Sequence, residues 1–205
     1  MTGSATLTWP KIATTGANHD IIHVLGADQD EDPYLGDTYL YYLRSTDGGV
    51  TWTTSMVPTV EDWEQTNYSS DQYAFAANGD NIAILLMGSV FGHTLVIKST
   101  DNGETWERIE VWHNPYGGMD WANDPATIFG CDDCDLYCYA PETGCIAIDN
   151  NGMVHGAFAP MQFYHPELGE SWMVTYGLMA DGIFYWNESM GTMVGPEWVC
   201  PDDGY

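Results

Sequence analysis

Two carboxylates on either side of a tryptophan are the residues of this 205-residue sequence that come nearest to a hydrolytic pair. Asp120 and Asp124 lie in the run GGMDWANDP and flank Trp121. Glycoside hydrolysis uses two carboxyl groups about 5–10 Å apart, one acting as the acid and the other as the base or nucleophile. The sequence holds thirty Asp and Glu, so such pairs arise easily. Both residues could equally cap backbone N–H groups in a turn.

A second set of carboxylates alternates along the run DQDEDPYLGD, as in a calcium-binding loop. Asp28, Asp30 and Asp32 are its candidate ligands. The run is not an EF-hand, because Pro33 holds the position that needs Gly and Tyr39 holds the position of the bidentate Glu. The alternatives are a calcium site and a solvated acidic loop. The run suggests calcium as a cofactor, and the predicted function requires none.

Four of the five cysteines lie within fifteen residues, at Cys131, Cys134, Cys138 and Cys145, and the fifth is Cys200. Their C-x2-C-x3-C-x6-C spacing could form two local disulfides or bind zinc, and free thiols are the third alternative. Zinc ribbons usually carry two C-x2-C knuckles and this run has one, so we expect disulfides and an extracellular or cell-surface protein.

Two histidines, His19 and His23, are close in sequence. We place them where a turn runs into a strand, and four residues along a strand separate side chains by roughly 13 Å. That distance is too long for a shared metal ion.

Aromatic side chains between the predicted strands are candidates for ligand contact. Trp63, Trp112 and Trp121 lie near turn residues. An exposed indole ring can stack on the C–H face of a sugar or anchor a protein interface. Burial between sheets is the alternative for each.

The charge of the chain limits its partners. Four Lys and Arg stand against thirty Asp and Glu, for a net charge of −26. Such a surface repels phosphate groups, so we exclude nucleic acid and anionic membranes as direct partners. The 14% aromatic content is ample material for a core.

The sequence predicts that a repeat of short strands positions these side chains. Apolar runs at 38–44 and 93–98 are rich in aromatic or β-branched residues and predict strands. Asn-containing turns precede further apolar runs, and Asn-Gly between apolar segments favours a hairpin. The repeat predicts units of four antiparallel strands at about 11–60, 73–112 and 145–194, a period typical of propeller blades.

The turn before the last strand of a unit is written twice, as STDGGVTW at 45–52 and STDNGETW at 99–106. Both copies resemble the Asp-box of the sialidase-like superfamily, S-x-D-x-G-x-x-W. The matching residues are Ser45, Asp47, Gly49 and Trp52 in the first copy and Ser99, Asp101, Gly103 and Trp106 in the second. A degenerate third copy, NESMGTMV at 187–194, keeps only the second glycine, Gly191.

This resemblance implies an all-β fold, a partial β-propeller of about three to four blades. The boxes would be structural and would face away from the ligand-binding end. Sialidases of this superfamily hold the substrate carboxylate with three arginines, and this chain has only Arg44 and Arg108. We therefore expect a non-catalytic module that binds a glycan or a protein, with the rest of a longer chain or a second half-propeller as a further partner. The alternatives are a glycoside hydrolase with catalytic residues partly outside this chain and a structural scaffold or adhesin domain.

Overall fold

The computed structural model describes residues 7–29, 38–58, 71–88, 92–114, 136–165, 173–175 and 183–194. Within these ranges the chain is all-β, and its regular elements are thirteen strands and one 3-10 turn at Glu188–Met190. The described residues include no helix with the length and apolar character needed to cross a bilayer. The predicted fold class is therefore confirmed.

The first two units are four-stranded antiparallel meanders. Blade 1 consists of β1 (Leu7–Thr15), β2 (Ile21–Gln29), β3 (Thr38–Ser45) and β4 (Thr53–Met56). Blade 2 consists of β5 (Tyr73–Asn78), β6 (Asn81–Met87), β7 (Thr94–Ser99) and β8 (Glu107–His113). Each strand pairs with its neighbours in chain order.

The third unit departs from this pattern. Blade 3 consists of β9 (Leu136–Ile148), β10 (Val154–His165), β11 (Met173–Thr175) and β12 (Phe184–Asn187). Both β11 and β12 pair with β10, along different parts of that long strand. The final strand, β13 (Met193–Val194), leaves the unit and pairs in parallel with β8 of blade 2.

Blade 2 lies between the other two blades, and its strand β6 is buried on both faces. Ile84 and Leu86 belong to an apolar cluster shared with blade 1. Ala83, Leu85 and Met87 belong to a second cluster shared with blade 3. Successive side chains of a strand point to opposite faces, so two covered faces require an unbroken apolar run. This explains the six apolar residues from Ile82 to Met87.

The stacked blades share a common polarity. The corners 45–52 and 99–106 join β3 to β4 and β7 to β8, so they lie at the same end of blades 1 and 2. The start of β7 and the end of β8 lie at the other end of blade 2. We call these the corner end and the open end.

Candidate functional site

The first corner is held by its own side chains. The Asp47 carboxylate accepts from the backbone N–H groups of Val50 at 3.0 Å and Thr51 at 2.8 Å, and from the Thr51 hydroxyl at 2.7 Å. The Ser45 hydroxyl donates to Asp47 and accepts from the Gly49 amide, both at 2.8 Å. Hydrogen bonds led by those from Thr51 lower the pKa of Asp47 to about 2.

The second corner repeats this network. Asp101 accepts from the Glu104 amide at 3.1 Å, and from the Thr105 amide and hydroxyl at 2.9 and 2.6 Å. Bonds from Thr105 are likewise the largest cause that lowers the pKa of Asp101 to about 2. Each carboxylate thus holds the corner that contains it.

Each corner tryptophan packs on the consensus glycine of its own box, Trp52 on Gly49 and Trp106 on Gly103. The Trp52 indole N–H also donates to the Gly49 carbonyl at 3.0 Å. Trp106 meets the Tyr42 ring of blade 1 edge-on, with centroids 4.9 Å apart. The second corner therefore rests against the neighbouring blade.

The degenerate third corner forms a similar indole-to-carbonyl hydrogen bond with a tryptophan from a different position. Val194 stands where the tryptophan would be, and Trp186, on the preceding strand, donates its indole N–H to the Gly191 carbonyl at 2.8 Å. Trp186 is fully buried, and Gly191 keeps a positive φ of 70°. A tryptophan thus binds a corner glycine carbonyl in this copy also.

All four basic side chains of the sequence contact groups within the fold. Lys11 lies 5.6 Å from the ring centroid of Tyr73, Arg44 pairs with Glu104 at 2.7 Å, Lys98 pairs with Glu188 at 2.7 Å, and Arg108 lies 3.8 Å from Glu110. Lys98 also donates to the Gly152 carbonyl at 2.8 Å and so connects blade 2 to blade 3. The sequence holds no further Lys or Arg to bind a ligand carboxylate.

A cluster of His93, Glu110 and His113 lies at the open end of blade 2. Their candidate ligand atoms all lie within 4.8 Å of one another, and no other such group of three occurs among the described residues. His113 Nδ1 is 2.6 Å from Glu110 Oε1. The His93 and His113 rings have centroids 4.8 Å apart and planes inclined by 21°. The Asn114 backbone N–H donates to His93 Nδ1 at 3.1 Å.

A β-bulge in β8 brings this cluster together. Leu95 pairs with Glu110 while Thr94 pairs with Trp112, which leaves Val111 as the extra residue. In a regular strand, Glu110 and His113 would point to opposite faces, because they are three positions apart. The extra residue restores them to one face, and bulges often re-aim side chains in this way beside functional sites.

The same bulge turns Trp112 inward beside Val111, since both belong to the cluster shared with blade 3. Trp112 is 4% exposed and packs edge-on against Phe158 and Phe184. The structure therefore corrects the expectation of an exposed binding tryptophan at this position. Phe184, which is 37% exposed, presents the aromatic surface there instead, next to Ile183 at 77%.

The structure describes one member of each of two other predicted sites. Asp28 lies within the ladder of β2, opposite Leu7 and Tyr39, and not in a loop. Cys145 has a free, exposed thiol, because β9 places it opposite Ala157 of β10 and not opposite another cysteine. The calcium hypothesis stays a prediction, because Asp30 and Asp32 lie outside the described residues, whereas Cys145 takes no part in a disulfide.

The remaining candidates lie outside the described residues or have undescribed side chains. Outside are Asp30, Asp32, Trp63, Asp120, Trp121, Asp124, Cys131, Cys134 and Cys200, and the Cys138 side chain is not described although its backbone lies in β9. The hypotheses of a carboxylate pair and of loop tryptophans stay predictions.

The two histidines singled out in the sequence have separate environments. His23 is fully buried, with ring nitrogens 2.7 Å from both the Thr15 and Tyr42 hydroxyls. Burial, and then the charge of Arg44, lower the pKa of His23 to about 4. His19 contacts Thr14 at 3.1 Å.

The cluster at the open end was missed in the sequence because His93 lies 17 residues before Glu110 and 20 before His113. A signal does exist. Folding the hairpin about the second corner places 98 opposite 107 and carries the pairing outward toward 93 and 113. The bulge that brings Glu110 and His113 to one face has no signature in this sequence.

The comparisons with known proteins concern the fold. No family model matches the chain, and no curated protein matches it. Among solved structures, a Trypanosoma rangeli sialidase is 14% identical with a TM-score of 0.42, and the match covers 95% of this chain and 38% of that one. A Hadza microbial sialidase is 16% identical with a TM-score of 0.42, covering 80% and 36%.

A third similar structure is an α-L-arabinofuranosidase from Fusarium graminearum, 12% identical with a TM-score of 0.42. The match covers 82% of this chain and 41% of that enzyme. The chain thus spans between about a third and two fifths of the length of these proteins. At this level of identity the likeness concerns the fold alone.

Proposed function

We propose that this chain supplies stacked blades to a non-catalytic module that binds an uncharged glycan at the open end. The observation that carries the proposal is the use of every basic side chain within the fold. A ligand with a carboxylate or phosphate would find no uncommitted guanidinium or ammonium group on this chain. It would also meet the repulsion of a net charge of −26.

The open end offers groups of the kind that bind neutral sugars. Phe184 gives a partly exposed ring that can pack against sugar C–H groups, and exposed Ile183 extends the apolar surface. On the other face of blade 2, the carboxylate and imidazole groups of the His93, Glu110 and His113 cluster can bind sugar hydroxyls. At the corner end, Asp47 and Asp101 hold their own turns and have less capacity for a ligand.

The proposal includes the partners and setting expected from the sequence. The module acts outside the cell or at its surface, needs no cofactor for glycan binding, and joins further blades from a longer chain or a second half-propeller. Nucleic acid and anionic membranes are not its partners, because its charge repels both.

A glycan array with uncharged and sialylated sugars tests the proposal. We expect uncharged glycans to bind, and binding to weaken by about tenfold or more in Phe184→Ala, in line with the loss of an aromatic contact. Tyr185→Ala is the matched control, because Tyr185 is 51% exposed and successive residues of a strand such as Phe184 and Tyr185 point to opposite faces. Circular dichroism of both variants checks that the fold is retained.

Three results would contradict the proposal. Preferential binding of sialylated glycans would overturn the assignment of an uncharged ligand. Turnover of a glycoside that is lost in Asp120→Ala or Asp124→Ala would identify a hydrolase. Capture of a protein partner without any dependence on sugar would identify a scaffold.

A further inference from the structure

We propose that His93, Glu110 and His113 bind one divalent transition-metal ion, with Zn²⁺ as the reference ion. Two imidazoles and a carboxylate form a donor set that zinc uses in proteins with an open fourth position. The site lies at the open end of blade 2, and the proposal does not depend on the glycan proposal.

The three donors can reach the spacing needed for a single ion through small rotations of their side chains. Zinc bonds to nitrogen or oxygen at about 2.0–2.2 Å, so two ligands in a tetrahedral arrangement lie about 3.4 Å apart. The ligand atoms here lie within 4.8 Å of one another, so the widest pair must move closer, while His113 Nδ1 and Glu110 Oε1, which are 2.6 Å apart, must separate by a smaller amount. All three side chains are partly exposed, so they can rotate the remaining distance.

The surroundings orient the carboxylate. Arg108 Nη1 lies 3.8 Å from Glu110 Oε2, while Oε1 faces His113. One oxygen can therefore bind the ion while the other keeps its contact with the guanidinium group. Such outer contacts commonly fix the direction of a metal-binding carboxylate.

His93 must give up its hydrogen bond with the Asn114 amide to join the site. Its Nδ1 accepts from the Asn114 amide, which places the proton of the neutral ring on Nε2. Binding through Nδ1 replaces that amide bond directly, and binding through Nε2 moves the proton to Nδ1. In both cases the bond from the Asn114 amide is lost, and binding of the ion by His113 Nδ1 and Glu110 Oε1 also replaces the hydrogen bond between those two atoms, with release of its proton.

The backbone gives the cluster a defined geometry. The β-bulge at Val111 turns Glu110 and His113 to the same face, and the pairing of Thr94 with Trp112 holds His93 beside His113. Rigid strand ends give more precise metal sites than loops do. The net charge of −26 also raises the local concentration of cations near this surface.

Calorimetric titration of the full chain with Zn²⁺ tests the site, with millimolar Mg²⁺ present to occupy nonspecific carboxylates. We expect His93→Ala and His113→Ala each to lose one equivalent of bound Zn²⁺ or to weaken that equivalent by about tenfold or more. Glu110→Gln should weaken it as well. His155→Ala is the matched control, since His155 contacts Tyr185 and Asp149 away from the cluster. The cysteines are unchanged in all four variants, so zinc bound by thiols cancels in the comparison.

Absorption of Co²⁺ provides a second measurement of the ligand set. Co²⁺ bound to the wild type should give a d–d spectrum that the His93 and His113 variants lack, and circular dichroism will show whether these variants are folded. Equal stoichiometry and affinity for the wild type and both histidine variants would overturn the proposal. Loss of an equal amount of Zn²⁺ in His155→Ala would overturn it too.

Discussion

A methyl group added to the consensus glycine of each corner, Gly49 or Gly103, distinguishes the two corners by what packs against them. Gly49 and Gly103 have φ of 93° and 82°, and an L-residue there costs about 1–2 kcal/mol. The space around them differs. A Cβ on Gly49 would come no closer than 3.6 Å to Ile22, which is ordinary contact, whereas a Cβ on Gly103 would overlap the Tyr42 hydroxyl of blade 1.

The overlap should add about 1–3 kcal/mol, the usual cost of overpacking. We therefore expect Gly49→Ala to lower the free energy of unfolding by about 1–2 kcal/mol and Gly103→Ala by about 2–5 kcal/mol. Removing the hydroxyl with Tyr42→Phe should recover part of the Gly103→Ala loss. Tyr42→Phe alone should cost about 1 kcal/mol, because it removes the hydrogen bond to His23. The double variant is therefore more stable than Gly103→Ala only when relief of the overlap exceeds that cost.

Urea denaturation of the four variants and the wild type measures these differences. Equal losses in Gly49→Ala and Gly103→Ala, with additive effects of Tyr42→Phe, would refute the contact between the second corner and blade 1.

Three further predictions concern ion pairs and pH. Lys98→Met should lower the free energy of unfolding by about 2–4 kcal/mol, because it leaves the largely buried Glu188 carboxylate without its cation. Arg44→Met should lower it by only about 1 kcal/mol, since its partner Glu104 is 64% exposed. Equal losses of the two variants in urea denaturation would contradict this difference. The pKa of His23 is about 4 in the fold against 6.5 in the unfolded chain, so stability should fall as the pH drops from about 6.5 to 4, and His23→Gln should remove that slope. Asp47 and Asp101 have folded pKa values of about 2 against 3.8, so their contribution is present above pH 4 and is lost as the pH falls toward 2. The double variant Asp47→Asn, Asp101→Asn should lose less free energy of unfolding between pH 4 and 2 than the wild type does. An unchanged dependence of stability on pH in that range would contradict the prediction.

The strands and corners could be predicted from the sequence because their signals are local. The apolar run Ile82–Met87 has strand length, and its burial on both faces follows from the lack of alternation. The corner residues Ser, Asp and Gly form hydrogen bonds within five residues, so their pattern carries the geometry.

The rest depends on contacts distant in sequence. The course of β13 along β8 joins residues about 80 positions apart, and no motif at Met193 or Val194 indicates it. The inward turn of Trp112 results from one extra residue in a strand, which shifts every later side chain to the other face. From the sequence alone, the position of Trp112 next to turn residues predicts an exposed ring, because the bulge at Val111 has no local signal.

Native-state hydrogen exchange tests most directly whether the blades stack on both faces of blade 2. The amides of β6, from Asn81 to Met87, bond to strands on both sides and lie between two apolar clusters. The residues of β4, from Thr53 to Met56, are all exposed. We predict that β6 amides exchange at least about a hundredfold more slowly than β4 amides after correction for intrinsic rates. Exchange in β6 as fast as in β4 would contradict the stacked arrangement.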